Sequence, residues 1–178
     1  PPIHLFISHT HWDHIQGFPF FVPCYIKGAH INVRGPVHFV ETKSLRDIFD
    51  LQMRYEFFPI FNAQLAATIT YETLKETALD VGGIAIRTQF TNHSIRSLGY
   101  RLTENGRSVV YTGDHEPYQN VFAGPEKTAS KTDAEEDILF GDVEATVLDA
   151  NHRFVEFIRG ADLFIVDGQY TPGEYRSG

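Results

Sequence analysis

The chain has 178 residues, 42% of them hydrophobic, which is enough for one domain with a sizeable core and too few for two ordinary domains. Its formal net charge of −8 disfavours binding of extended nucleic acid, and no apolar stretch reaches the ~18–20 residues of a membrane helix. The single cysteine, Cys24, excludes an internal disulfide and favours a reducing, cytoplasmic setting.

The chain begins without methionine and runs directly into an apolar stretch at residues 3–7, which predicts a buried strand and suggests a fragment of a longer protein. His9, His11, Asp13 and His14 follow this strand. His9 and His11 can point the same way from an extended backbone, whereas Asp13 and His14 turn toward a neighbouring point where a helix begins. Imidazole and carboxylate are ligands of zinc, manganese and iron, so the segment predicts a site that can serve two metal ions a few ångströms apart.

The stretch after these residues is aromatic and is interrupted by Pro19 and Pro23, which predicts a short helix from Ile15 and then a loop. The three phenylalanines of this stretch either wall a substrate pocket or pack in the core, and core packing is expected of at least two of them. They are Phe18, Phe20 and Phe21. Short strands are predicted at residues 25–26, 31–33 and 37–40.

A helix is predicted to follow Ser44. Ser44 is a favourable N-cap with Asp47 three residues later, and apolar residues recur at helical spacing from Leu45 to Phe57. Pro59 ends the predicted helix.

The middle of the chain predicts strands that deliver two polar residues at their ends. One strand, at residues 84–90, precedes His93, although a lone histidine at a strand end is more often structural. The next two, at residues 98–102 and 109–111, form a hairpin around Asn105 and Gly106, and the second of them ends near Asp114. A shorter strand is predicted at residues 68–71. Asp114 either bridges two cations or hydrogen-bonds its own backbone in a turn.

The last third of the chain predicts a flexible acidic loop over residues 123–137, and then a short strand or the approach to a helix at residues 146–148. Asn151 is predicted to cap a helix over residues 152–159 that Gly160 terminates. An apolar strand at residues 163–166 follows.

The spacing of His9, His11, Asp13 and His14, with Gly17 shortly after, resembles the H-x-H-x-D-H signature of the metallo-β-lactamase superfamily and its phosphodiesterase and ribonuclease Z-like branch. The resemblance implies an α/β fold, namely a four-layer αβ/βα sandwich over residues 1–178, here lacking N-terminal strands and the C-terminal end.

The same resemblance implies two divalent metal ions. His9, His11 and His93 would hold one, Asp13 and His14 the other, and Asp114 would lie between them; the second ion is one ligand short, because the last metal histidine of the family lies beyond this chain. His115 and Glu116 are candidates to orient these ligands, and Asp167 is a candidate to contact the site or the residues around it. A helix near the site in this branch makes four residues candidate substrate contacts: Arg54, Tyr55, Phe57 and Phe58.

Hydrolysis is the chemistry that such ligands support, because a bound metal ion lowers the pKa of water to about 7 and two ions stabilise the attacking and leaving oxygens. A small or cyclic nucleotide-like phosphodiester fits best, with Asp13 and Asp114 as catalytic carboxylates. The resemblance to the phosphodiesterase branch implies that Asp13 passes a proton to the leaving alcohol. Zinc is the expected metal, with manganese and iron as alternatives. The open alternatives are hydrolysis of a lactone, thioester or lactam, and a non-catalytic metal-binding module; a homodimer is possible.

Overall fold

The computed structural model describes residues 1–36, 43–120, 134–168, 171 and 173, of which residues 134–141 are described by their backbone alone. The strands of this part of the chain are β1 (Ile3–Phe6), β2 (His30–Pro36), β3 (Thr68–Leu74), β4 (Ala78–Val81), β5 (Ile84–Thr91), β6 (Ser97–Glu104), β7 (Arg107–Tyr111) and β8 (Leu163–Ile165). The α-helices are α1 (Trp12–Ile15), α2 (Leu45–Gln52) and α3 (Ala134–Ile158). None of the described helices combines the length and the apolar character that a membrane span requires.

The strands form two sheets, and each sheet carries a helix on its outer face. The first sheet is parallel in the order β1-β2-β3, and the second has the order β4-β5-β6-β7-β8, antiparallel except for the pair β7-β8. Ile31 and Val33 of β2 are fully buried in a core that also contains Phe49 of α2. On the second sheet, Gly99 of β6 faces Phe157 of α3. The layers are therefore helix, sheet, sheet and helix, which confirms the predicted sandwich.

The inner faces of the two sheets meet around Tyr100. Its ring packs edge-on against Phe6 with 5.4 Å between ring centroids, and its hydroxyl donates to the carbonyl oxygen of Ile7 at 2.7 Å. Burial raises the pKa of Tyr100. The backbone N–H of Leu98 also donates to the carbonyl oxygen of Ser8 at 2.8 Å. These contacts fix the end of β1 against β6, where the predicted metal ligands begin.

Helix α2 begins as predicted but ends early. Ser44 and Asp47 form a capping box, in which the Ser44 hydroxyl accepts from the Asp47 N–H at 3.2 Å and the Ser44 N–H donates to the carboxylate at 2.7 Å. The helix stops at Gln52, so its predicted continuation to Phe57 is wrong. The stripe of buried residues ends at Met53, which is fully buried. Phe57 is 67% exposed, so a longer helix would bury no further apolar side chain at this position.

Two predictions near the N-terminus need correction. Residues 25–26 were predicted as a strand, but Val22–Tyr25 forms a 3-10 turn with Pro23 in its first turn, where the missing N–H of proline is not needed. The predicted short helix starts earlier, at Trp12, and Phe18–Phe20 forms a second 3-10 turn. Residues 31–33 lie in β2 as predicted, and the predicted strand at residues 37–40 lies outside the described residues.

Helix α3 replaces part of the predicted acidic loop. Residues 134–137 are helical, and the rest of that loop, residues 123–133, lies outside the described residues. Residues 146–148 are helical rather than a strand, and Asn151 is inside the helix rather than at its N-cap. The sequence is acidic at positions 135–137, a composition that favours the start of a helix. The predicted stop at Gly160 is confirmed by its φ of +65°.

The remaining predicted strands are present. Residues 68–71 lie in β3, residues 84–90 in β5 and residues 163–165 in β8, while β4 was not predicted. The hairpin of β6 and β7 turns at Asn105 and Gly106, both with positive φ, as a two-residue turn between twisted strands requires.

Candidate metal centre

His9 lies in the interior of the molecule, three residues after the end of β1. The Ile7 N–H continues the sheet by donating to the carbonyl oxygen of Arg34 at 2.7 Å, so His9 enters the space between the sheets. Its side chain is fully buried. Nδ1 of its ring lies 3.2 Å from the Ser8 hydroxyl, which holds the ring with Nε2 on the opposite side.

Helix α1 carries two further predicted ligands, Asp13 and His14, and His11 directly precedes it. The His14 N–H donates to the carbonyl oxygen of His11 at 3.1 Å, which closes the first turn. His14 Nε2 lies 3.5 Å from the carboxylate of Asp13, whose side chain is 72% exposed. The ring centroid of His14 is 4.1 Å from that of His9, so the turn brings the imidazole back toward the buried end of β1.

Strands β5 and β7 deliver His93 and Asp114 to the same place. One oxygen of Asp114, Oδ2, lies 3.7 Å from His9 Nε2 and 3.2 Å from His14 Nε2. The same oxygen lies 3.7 Å from His93 Nε2. Asp114 is thus the residue on which the three histidine-bearing segments converge, and the alternative of a turn residue that bonds only its own backbone does not describe these contacts.

Gly113 allows this approach. Its φ is +58°, and a Cβ at this position would lie 3.1 Å from both Cβ and Oγ of Ser8. A side chain there would push apart the two segments that carry His9 and Asp114.

Four of the six predicted ligands form one compact group. Each residue offers a donor atom, and these atoms all lie within 4.8 Å of one another: His9, His11, His93 and Asp114. His93 Nε2 and His11 Nδ1 are 3.0 Å apart, close to the ~3.3 Å expected of two nitrogens bound tetrahedrally to one zinc ion at about 2.0–2.1 Å. Among the described residues, His9 Nε2 is buried without a hydrogen-bond partner. A buried nitrogen without a partner is rare in proteins, and it fits an atom that binds a divalent ion.

The electrostatics of the group also fit metal binding. The pKa of His9 is lowered to about 3, mainly by burial and in smaller part by the neighbouring rings of His14, His93 and His11. The imidazole of His9 is therefore neutral at pH 7, with a free electron pair on the nitrogen that lacks a hydrogen. A neutral imidazole is the form that binds metal ions.

Asp13 and His14 lie beside this group rather than in it. His14 joins it through Asp114, and Asp13 reaches it only through His14, because its carboxylate points mainly into solvent. Asp167 is exposed and is not part of the group. Of the residues next to Asp114, Glu116 has an exposed side chain, whereas Nδ1 of His115 accepts a hydrogen bond from the Asn92 N–H at 3.0 Å.

Two residues of this region were not predicted from the sequence. Ser8 contacts both His9 and Gly113, and Asn92 contacts His115. Both are small polar residues next to a predicted ligand, and such residues are common in turns, so the sequence offers no signal that separates a supporting role from an ordinary one.

The aromatic candidates divide as expected, with two in the core. Phe18 is buried against Phe49 with 4.5 Å between ring centroids, and Phe21 packs against the same core. Phe20 is 72% exposed and meets Phe58 edge-on at 5.4 Å. Phe20 is therefore the one phenylalanine of these three that is free to contact a substrate.

The candidate contacts after α2 are mostly on the surface. Tyr55 and Phe57 are 69% and 67% exposed, and Tyr55 stacks on Phe61 at 6.2 Å. Arg54 forms an exposed ion pair of 2.6 Å with Glu56.

Comparison with known proteins was made at the levels of family, sequence and structure. A family model described as "Beta-lactamase superfamily domain" matches residues 1–177. Ribonuclease Z of Lactobacillus johnsonii is 31% identical over 131 residues, which are 68% of this chain and 37% of that protein. The chain thus spans little more than a third of the length of this curated relative.

Solved structures with a similar fold include unliganded yeast PDE1, with 12% identity over 93% of this chain and 66% of that chain and a TM-score of 0.50. The short form of human tRNase Z is 21% identical over 84% of this chain and 68% of that chain, with a TM-score of 0.45.

Proposed function

The chain belongs to the beta-lactamase superfamily, and from that premise we propose that it is a metal-dependent hydrolase of a small or cyclic nucleotide-like phosphodiester. The observation that carries the proposal is the group of His9, His11, His93 and Asp114, whose donor atoms lie within 4.8 Å of one another around a buried, unpartnered nitrogen. In the proposal these residues hold one divalent ion, most simply zinc, with manganese or iron as alternatives.

A second ion is proposed on the other side of Asp114. His14 Nε2 lies 3.2 Å from Asp114 Oδ2 and 3.5 Å from the carboxylate of Asp13, so these three side chains form a neighbouring set of donors. When bound, two such ions lower the pKa of water and offset the negative charge that develops during phosphodiester hydrolysis.

The protein residues divide the remaining work in this proposal. Asp114 fixes the two sets of donors relative to each other, because its one oxygen contacts histidines of both. Asp13 is 72% exposed in its side chain, so its carboxylate can take up the proton that the attacking water releases and pass it to the departing alcohol at the rim. Phe20, exposed near the end of α1, is the candidate wall for the organic part of the substrate.

Two observations favour a phosphodiester of limited size. The curated relative carries the name ribonuclease Z, and cleavage of RNA is hydrolysis of a phosphodiester. The net charge of −8 disfavours a long polyanion, which normally needs a basic surface. A small diester satisfies both observations.

The test is hydrolysis of a chromogenic phosphodiester by the full chain after removal of metal and reloading with zinc, manganese or iron in turn. His93→Ala is the test variant, and His30→Ala is the matched control, because His30 is an exposed histidine whose ring contacts the carbonyl oxygen of Gly28. We expect turnover that is lost in His93→Ala and kept in His30→Ala.

Two other outcomes would redirect the assignment. Protein that holds metal but leaves the diester intact while cleaving a lactone, thioester or lactam would replace the phosphodiester with that substrate class. Protein that holds metal and cleaves none of them would support a non-catalytic metal-binding module.

A further inference from the structure

Asn92 and His115 connect the two loops that carry His93 and Asp114. The Asn92 N–H donates to His115 Nδ1 at 3.0 Å, and the N–H of Glu116 donates to the carbonyl oxygen of Asn92 at 3.1 Å. The side-chain amide of Asn92 donates to the carbonyl oxygen of Pro117 at 3.2 Å. Asn92 directly precedes His93, and His115 directly follows Asp114. Three hydrogen bonds therefore join the neighbours of two residues whose donor atoms must stay close together.

Helix α3 holds this connection from the other side. The ring of His115 stacks on Phe154 with 3.6 Å between ring centroids and 22° between planes. Asn151 forms a pair of 2.9 Å bonds with the backbone of Tyr118, accepting from its N–H and donating to its carbonyl oxygen. The segment after Asp114 is thus fixed to the helix, and the His115 ring is held with Nδ1 toward Asn92.

The acceptor of His115 has no part in this packing. A phenylalanine ring would stack on Phe154 equally well, yet Nδ1 is directed at the N–H next to His93, and the bond requires that this nitrogen carries no proton. We infer that His115 is a positioning residue, whose Nδ1 sets His93 against Asp114 and so determines how tightly the group holds a divalent ion. The inference rests on the metal centre proposed above.

Two variants separate the acceptor from the ring. His115→Phe keeps a ring for the stack on Phe154 and removes the acceptor. His115→Asn places an amide oxygen near the position of Nδ1 and removes the ring. If His115 positions His93 through the hydrogen bond, metal affinity should be kept in the variant that retains the acceptor. Thermal stability should be kept in the variant that retains the ring.

The experiment is titration of the metal-free full chain with Co²⁺, with affinity from calorimetry and ligand geometry from the visible absorption spectrum. We expect His115→Phe to bind Co²⁺ about 10–100-fold more weakly with a changed spectrum, the usual effect of losing a partner that orients a ligand. His115→Asn is expected to keep the wild-type spectrum and an affinity within about 3-fold of wild type, with a lower melting temperature.

The possible failures are distinguishable. Wild-type affinity and spectrum in His115→Phe, or equal weakening in both variants, would overturn the assignment of His115 while leaving the metal centre intact. A wild-type chain that takes up no Co²⁺ would refute the metal centre itself, and the role of His115 with it.

Discussion

Replacing Gly113 with alanine is expected to destabilise the fold and open the metal centre at once. Gly113 has a φ of +58°, where an L-residue is disfavoured by about 1–2 kcal/mol. The added Cβ would lie 3.1 Å from both Cβ and Oγ of Ser8, and crowding of this kind adds about 1–3 kcal/mol. We therefore expect Gly113→Ala to lower the free energy of unfolding by about 2–5 kcal/mol.

Gly106→Ala is the matched control for the backbone part of this effect. Gly106 also has a positive φ, +76°, but nothing lies within 4 Å of the position that its Cβ would occupy. It is in the turn between β6 and β7, away from the ligands. Its expected loss is therefore only the conformational part, about 1–2 kcal/mol.

The assay is urea unfolding of both variants, followed by metal content after reloading. Gly113→Ala should show the larger loss of stability and reduced metal uptake, because relief of the crowding moves Ser8 away from Asp114 and takes His9 with it. Gly106→Ala should keep wild-type metal content. Equal stability losses in the two variants, or full metal uptake by Gly113→Ala, would refute the idea that the close approach at Gly113 holds the site together.

Three further predictions concern stability. Arg101 donates to the carbonyl oxygens of Phe157 and Arg159 at the end of α3, both at 2.9 Å. Arg101→Met should therefore lower the free energy of unfolding in urea by about 2–4 kcal/mol, and an unchanged free energy would contradict this role. Ser44→Ala should lose about 1 kcal/mol of cap stabilisation but Ser44→Gly only a few tenths, as measured by the same method; equal losses would argue against capping. Burial lowers the pKa of His115 from its ordinary value of 6.5 to about 4. As the pH falls below 6.5, the unfolded state therefore binds a proton that the folded state does not, and the metal-free protein should lose stability between about pH 6.5 and pH 4. His115→Phe should flatten that slope, and an identical slope in the variant would assign it to other groups.

Local features of the sequence predicted the part of the candidate site that is local, namely the residues that directly follow β1. His9, His11 and His14 lie in one short segment, and the change from strand to helix within it fixes the relative directions of their side chains. Asp114 was predictable because the Asn105 turn sets the register of the hairpin that ends beside it.

The failures lie where tertiary contacts decide the structure. Asn151 has the side chain of a good N-cap, but its amide is engaged by the backbone of Tyr118, a contact between residues 33 positions apart that no local pattern encodes. Met53 continues the apolar spacing of α2 and is the last residue of that spacing to be fully buried. The apolar residues after it do not pack in the core, and periodicity alone cannot show where a packed helix stops.

Local reasoning grouped Asp13 with His14 but could not show how exposed its carboxylate is. The structure places this carboxylate next to His14 as predicted, and 72% of the Asp13 side chain is exposed. Whether a carboxylate at the start of a helix points inward depends on the rotation of that helix, which is set by the packing of Ile15 beneath it.

The dispersed origin of the four donors has a consequence for how the protein matures. His11 and His93, which approach to 3.0 Å, are 82 positions apart along the chain, and Asp114 lies beyond both. The entropic cost of closing a loop of that size is met before the contacts between its ends contribute any stability. The complete group therefore forms only after both sheets have assembled. Until β5 and β7 are in place, His9 and His11 lack His93 and Asp114, and tight loading of an ion would therefore be a late event that reports completed folding.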